Sequence, residues 1–331
     1  MNANSILSIV IPTYNRADFL DYCLSVHIPL VKKHCIQIFV SDNASTDSTK
    51  EIVKKWQLEY PLLHYHKNET NVGEINFEIA LKLPKTDYIW LLGDTYQIPS
   101  HGIQYLLKTI SKQENKHDAF IFNLSNKITQ TPSQNYQDQN ALLHDIGAIM
   151  TCLSCLVYSK ILVEKAFFSR YYNTYFLQTG IIFESISNQF FNILWISNLS
   201  VTNLEHPFLQ KKNWGKSSQT FEIGCEKWTN FIFSLPPSYT LRSKMKCIMD
   251  FGKVSGLFSL KSLLLLRLHD VLTFQTFQKY KYLFPLTIGY PSIMIFCLIL
   301  IPKFLLQYIA VTHILVFEKN KIKKIKLLFR T

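Results

Sequence analysis

Ile9-Val10-Ile11-Pro12-Thr13-Tyr14-Asn15-Arg16 and, thirty residues further on, Phe39-Val40-Ser41-Asp42-Asn43-Ala44-Ser45-Thr46-Asp47 decide how this chain is read. Each is a short apolar run that ends abruptly in small, hydroxyl-bearing and carboxylate side chains. A strand covered on both faces reads as a continuous apolar run, and its polar end is where it delivers a loop. Two further pieces follow in order: Asn71-Val72-Gly73 with Asn76 opens a helix after the run Leu62 to His66, and Tyr88-Ile89-Trp90-Leu91-Leu92-Gly93-Asp94 is another apolar run that closes on a carboxylate. The pattern predicts strands at Leu7 to Ile11, Ile36 to Ser41, Leu62 to His66, Tyr88 to Leu92 and Ala119 to Asn123. It predicts helices at Asp18 to Lys33, Asp47 to Tyr60, Glu74 to Leu83 and Ser100 to Gln113. Such alternation implies right-handed βαβ units and a largely parallel sheet. Ligands on such sheets bind at the carboxyl ends of the strands, where the strand order reverses. The polar motifs fall at those ends.

Together these motifs resemble the nucleotide-binding half of family-2 glycosyltransferases, in particular bacterial O-antigen and capsule sugar transferases. The resemblance covers roughly residues 1–125. It implies an α/β chain of the GT-A fold: a Rossmann-like, mainly parallel sheet flanked by helices. It also implies transfer of a sugar from a nucleotide-sugar donor to a lipid-linked or cell-surface polysaccharide acceptor, by direct displacement with inversion. A dinucleotide oxidoreductase is disfavoured, because no Gly-x-Gly-x-x-Gly follows any strand.

In such a family the loop after the first strand holds the nucleobase. Pro12, Thr13, Tyr14 and Asn15 match that loop, with the Tyr14 ring offering a stacking face. Asp42 matches the carboxylate that hydrogen-bonds the base, and Asn43 follows it. Asn71, Gly73 and Asn76 match the next donor-side motif, while Gly93, Asp94 and Thr95 stand where the diphosphate is expected. Members usually carry Asp-x-Asp or Asp-Asp there, binding Mn²⁺ or Mg²⁺. Here one carboxylate is left, Asp94, which is the expected metal ligand, as either the last or the first acid of that motif depending on alignment. No basic residue lies between Lys67 and Lys82, where relatives place a phosphate-binding Arg; Lys211, Lys212 or Lys216 are lid candidates. The resemblance also implies that a carboxylate of the second half deprotonates the acceptor. Glu184 has the most apolar setting of the acids between residues 140 and 230 and is the expected base; His206 is an outside candidate. The thinned acidic motif leaves a rival of another class, a non-catalytic GT-A-like nucleotide- or sugar-binding protein at the membrane. A basic membrane-surface adaptor with a scaffold sheet is a second.

The 331 residues carry 48% hydrophobic side chains, with 24 Phe and 17 Tyr, which excludes a mainly disordered chain. Net charge is +12, yet residues 1–241 hold 20 basic and 20 acidic side chains, so the excess lies in 242–331, with 15 basic and three acidic. A nucleic-acid binder spreads Lys and Arg over a face interleaved with stacking aromatics; here they flank apolar sequence, and no nucleic-acid partner is expected. Leu283 to Ile301 has no charge but holds Pro285, Gly289 and Pro291, which are expected to break a helix there, and Phe304 to Phe317 has only His313. Positive flanks on both sides favour a re-entrant hairpin or interfacial helices over one crossing, with a buried helix pair as the other reading. Expected regions are therefore a donor half at 1–125, an acceptor half at 126–235 beyond a polar loop at Thr129 to Asn140, and a helical region at 236–331 after Pro236-Pro237. The last would reach the membrane through 283–331, on the cytoplasmic side of a bacterial inner membrane. Seven scattered cysteines, with Cys152 and Cys155 read as buried thiols, suit a reduced compartment. No secretory leader is apparent.

Overall fold

β1 (Leu7–Thr13) is buried along its whole length, as a strand with helices on both faces requires. It is followed by α1 (Ala17–Lys32), β2 (Gln37–Asp42), α2 (Thr49–Glu59), β3 (Leu63–Lys67), α3 (Ile75–Lys82) and β4 (Tyr88–Leu91). After the short β5 (Tyr96–Gln97) come α4 (Gly102–Ser111) and β6 (Ala119–Leu124). Apart from β5, which periodicity does not predict, each lies within about two residues of its predicted position. The computed structural model describes residues 6–112, 116–206, 209, 215 and 217–308.

The second half departs more from expectation. The polar stretch read as a loop contains β7 (Gln134–Tyr136), which pairs antiparallel with a late strand. Then come α5 (Gln139–Ile146), β8 (Leu156–Ser159), α6 (Lys160–Lys165), α7 (Leu177–Ser185) and the long β9 (Ile193–Asn203). The strand order is β3-β2-β1-β4-β8-β6-β9-β5, with β7 also on β9. β3, β2, β1 and β4 are parallel, but β8 enters antiparallel between β4 and β6. The sheet is thus parallel in its donor half and mixed beyond. Because β8 is needed to join β4 to β6, the expected halves 1–125 and 126–235 share one sheet.

The core over this sheet joins Ile9, Ile11, Leu24, Val40, Trp90, Phe122 and Val157. Trp90 stacks on Phe122 at 4.6 Å and 15°, and its Nε1–H donates to the Ser154 carbonyl at 2.8 Å. A buried indole needs such a partner. Burying a ring of this size is worth about 2–3 kcal/mol, and the bond to Ser154 ties the strand that ends in Asp94 to the later half of the chain.

The described residues of Met1–Lys211 and Phe233–Cys247 form one compact unit; those of Lys212–Ile232 and Ile248–Thr331 form another. Pro236-Pro237, expected as a boundary, lies inside the first. The second unit is helical, with a core of Phe221, Phe258, Leu263, Phe277, Phe284 and Ile295. Its uncharged stretch does not make one helix. Phe284–Thr287 is a single turn, Gly289 takes φ +76°, and Ser292–Leu300 follows Pro291. Nine helical residues span about 14 Å, against roughly 30 Å of bilayer hydrocarbon. Among the described residues no helix is long and apolar enough to cross a membrane.

Candidate functional site

The site lies where β1 stands between β2 and β4, so that the chain winds outward to β3 and then returns to the other side of β1. Pro12 shapes it. The Val10 carbonyl accepts from Leu92 on the β4 side, and Thr13 accepts from Asn43 on the β2 side. Alternation along a strand therefore points Pro12 toward β4. It has no amide proton to give, and the β1–β4 ladder stops at Val10 and Leu91, while β1 stays paired with β2 through Thr13 and Asp42. β4 peels away at this point and delivers Gly93 and Asp94.

Asp94 is 3% exposed. Thr13 Oγ1 donates to its Oδ2 at 3.0 Å, and Arg16 Nη1 donates to its Oδ1 at 3.0 Å. The Gly93 amide donates to Ser154 Oγ at 2.9 Å. Thr95 is buried, and its carbonyl accepts from Leu204 at 2.9 Å. Tyr14, at 42% exposure, leaves its ring open beside this cluster.

The loops after β1 and β2 are laced together. The Asn15 amide donates to Ser45 Oγ at 2.8 Å, and Asn15 Oδ1 accepts from the Thr46 amide at 2.8 Å. Asn15 (φ +50°) and Ala44 (φ +65°) take left-handed backbone, which costs roughly 1–2 kcal/mol for a residue with a Cβ. Asp47 joins the loops again. It accepts from the first amide of α1, Ala17, at 2.9 Å, and from the amide and hydroxyl of Thr49 at the start of α2. Partial burial works against its charge, but these hydrogen bonds outweigh that and hold the carboxyl below the usual range.

Asp42 sits at the end of β2 as expected but faces inward, fully buried. Its Oδ1 accepts from the Ser45 amide at 2.8 Å and its Oδ2 from Tyr65 Oη at 2.6 Å. Burial, and then the Asp42 carboxylate, push the Tyr65 phenol well up, so it stays a donor. Asp42 thus organises the loop and Tyr65 instead of presenting its carboxylate to solvent. Asn43, Asn71, Gly73 and Asn76 form a second network. Asn43 Nδ2 donates to Asn71 Oδ1 at 2.8 Å and to the Gly73 carbonyl at 3.2 Å, and Asn43 Oδ1 accepts from Val72. Asn76 Nδ2 donates to the Ser41 carbonyl, while its Oδ1 accepts from Ser41 and Asn68. Gly73 has φ +60°, a backbone that favours glycine.

Glu184 is held elsewhere. It pairs with Arg170 at 3.2 Å and accepts from Tyr171 Oη at 2.7 Å, and neither partner belongs to the Thr13–Asp94 cluster. Arg170 also donates to the Ser234 carbonyl. Its carboxylate already has two strong donors, which is the arrangement of a structural anchor. His206 packs edge-on against Tyr22 at 4.6 Å. Lys211, Lys212 and Lys216 lie outside the described residues. Cys152 and Cys155 are buried thiols, as expected, and neither is in a disulfide.

Mg²⁺ or Mn²⁺ fits this residue set poorly. Asp94 is the one carboxylate of its loop, and it is already paired with a cation. Among the described residues no group of three His, Cys, Asp or Glu could hold a metal.

Two roles were not assigned from sequence: Arg16 at Asp94, and Tyr65 at Asp42. Arg16 stands directly after the quoted strand end, but only the separation of β4 from β1 brings it to Asp94. Tyr65 needs the β2–β3 register, in which Val40 faces Tyr65 and Asp42 faces Lys67.

The model of the family described as glycosyl transferase family 2 matches residues 8–191. The chain belongs to that family. The match passes well beyond the first 125 residues and takes in β8 and α7. Over 112 residues the chain is 33% identical to an abequosyltransferase of Salmonella typhimurium, and over 124 residues 30% identical to an uncharacterized glycosyltransferase of Mycoplasma genitalium. These matches span 33% and 35% of this chain, and 33% and 40% of those relatives. Among solved structures, residues 1–349 of S. aureus TarS in complex with UDP-GlcNAc superpose with TM-score 0.57 at 16% identity, covering 85% of this chain and 81% of that one. A mannosyltransferase from Pyrobaculum calidifontis in complex with GDP-Man and Mn²⁺ gives TM-score 0.53 at 13% identity, covering 89% and 86%. Such likeness establishes the GT-A fold of this family-2 chain.

Proposed function

We propose that this family-2 chain transfers a sugar from a nucleotide-sugar donor to a lipid-linked or polysaccharide acceptor, by direct displacement with inversion. The observation that carries the proposal is the Thr13–Asp94–Arg16 cluster beside the open Tyr14 ring, at the carboxyl ends of β1 and β4. Tyr14 offers a face for a base, and Arg16 offers charge for phosphate. The names of the family and of the Salmonella relative support the sugar-transfer chemistry.

Membrane docking is part of the same proposal. Helix Ser292–Leu300 buries Ile295, Leu298 and Ile299 and turns Ile293, Cys297 and Leu300 outward; Phe304 and Tyr308 beyond it are also exposed. A helix apolar on both sides, in a region with 15 basic and three acidic residues, suits the interface of an anionic bilayer. Such docking would hold the enzyme at the cytoplasmic face of a bacterial inner membrane.

The test is nucleotide release from UDP-, GDP- and CDP-sugars, with and without Mg²⁺ or Mn²⁺, by the full chain and by Asp94→Ala, in the presence of a membrane lipid extract. Turnover of one donor that is lost in the variant supports transfer. Binding without turnover favours the non-catalytic reading suggested by the single carboxylate. Co-sedimentation with anionic but not zwitterionic vesicles tests the docking.

A further inference from the structure

We infer that Arg16 is the resident cation of this site, binding the diphosphate of the nucleotide-sugar donor where a divalent ion held by paired carboxylates would otherwise stand. The inference rests on the donor reading above and names the group that would do its electrostatic work.

The geometry is that of an anchored guanidinium. Arg16 Nη1 is fixed to Asp94 Oδ1 at 3.0 Å, and Asp94 is fixed in turn by Thr13 at 3.0 Å and by its own burial. The carboxylate side chain is 4% exposed, the Arg16 side chain 41%. One end of the pair is in the protein and the other is in the solvent at the strand ends. Arg16 Nε and Nη2 have no partner among the described residues. A guanidinium presents five N–H groups in a rigid fork matched to phosphate oxygens, and it keeps its charge at every working pH. Anchoring by one nitrogen removes side-chain freedom before any ligand arrives, which lowers the ordering cost of binding.

The same pair argues against a metal on Asp94. A divalent ion there has to displace the guanidinium or sit beside it, cation against cation, with one carboxylate for support. No basic residue lies between Lys67 and Lys82, and the Lys67 ammonium is engaged by the Ser45 carbonyl at 2.7 Å, whereas Arg16 is in direct contact with Asp94. In the transfer step the acceptor oxygen bonds to the anomeric carbon as the bond from that carbon to the β-phosphate oxygen breaks. The bonding pair stays on that oxygen, the acceptor proton passes to a base, and the Arg16 N–H groups stabilise the charge left on the diphosphate.

The experiment is equilibrium binding of UDP, GDP, CDP and dTDP, and of the matching nucleosides, to the full chain and to Arg16→Lys and Arg16→Ala, each in EDTA and in Mg²⁺. The expected result is that one diphosphate binds at least tenfold more tightly than its nucleoside in EDTA. That preference should shrink severalfold in Arg16→Lys, which keeps the ion pair but not the fork, and vanish in Arg16→Ala, with nucleoside affinity unchanged. Unchanged nucleoside affinity also shows that the variants are folded. A preference that survives Arg16→Ala, or that exists in the parent only with Mg²⁺, overturns the inference. Failure of every nucleotide and nucleoside to bind the parent overturns the donor reading itself, a distinct result.

Discussion

Thr13 Oγ1 lies 3.0 Å from Asp94 Oδ2 across the point where the strand order reverses. This bond closes the end of β1 onto the end of β4, beyond the last rung of their ladder. Because β4 has left β1, the side chains do what backbone pairing no longer does there, and they fix the loop that carries the buried carboxylate. Thr13→Val keeps the shape and removes the donor. A hydrogen bond to a charged acceptor is worth about 1.5–3 kcal/mol, so the midpoint of thermal unfolding should fall by several degrees, on the order of 2–4 °C per kcal/mol for a domain of this size. An unchanged midpoint would mean that the Thr13 bond contributes nothing to holding Asp94.

Tyr14 should matter for binding and hardly for folding. Its ring is 42% exposed, and stacking of one base on an aromatic side chain is worth about 1–3 kcal/mol. Tyr14→Ala is expected to weaken nucleoside affinity by roughly tenfold or more, a step of about 1.4 kcal/mol, with the unfolding midpoint unchanged. Tyr14→Phe should bind like the parent. Calorimetric titration with the preferred nucleoside reads both.

His27 makes stability depend on pH. It is fully buried in α1; its Nδ1–H donates to the Cys23 carbonyl at 2.7 Å, and its Nε2 accepts from the Ile98 amide at 3.2 Å. Burial pushes it down from 6.5 to about 4, against the opposing pull of the Cys23 carbonyl. The folded chain therefore holds it neutral while the unfolded chain protonates it. Its contribution is complete above about pH 6.5 and is lost as pH falls toward 4, by about 3 kcal/mol. Urea denaturation between pH 7 and pH 4.5 should show the loss, and His27→Gln should flatten that part of the profile.

Asp47 caps two helices at once, α1 through Ala17 and α2 through Thr49. Losing one cap costs about 1 kcal/mol. Asp47→Ala should therefore cost roughly twice that, and Asp47→Asn, which still accepts, clearly less. A cost near that of a single cap, measured by chemical denaturation, would show that the Ala17 contact contributes nothing.

Glu184 separates anchor from base. Its bonds to Arg170 and Tyr171 make it a brace of the second half, so Glu184→Gln should lower the unfolding midpoint and leave donor turnover within a few-fold of the parent. A general base contributes about 10²–10⁴ in rate, so a loss of that size with the fold intact would return the catalytic role to it.

Residues 7–124, the two-residue β5 apart, were legible because each element there carries its own signal. Val10 and Trp90 lie in runs short enough for strands and apolar enough to be covered on both faces, and Thr13, Asp42 and Asp94 mark the ends of such runs. The sequence by itself determined those strands, the helices between them and the sheet ends where a donor could bind. It also determined that the stretch from Leu283 to Ile301 is broken, since Gly289 and Pro291 act locally on the backbone. The tertiary structure alone decided what the polar residues do. Asp42 turned inward to Ser45 and Tyr65, Glu184 went to Arg170, and Arg16 found Asp94, because side-chain partners are set by strand order and register, which no local pattern encodes. β8 entered between β4 and β6 for the same reason. Strand pairing is a long-range choice, and its energy lies in contacts between segments far apart in the chain.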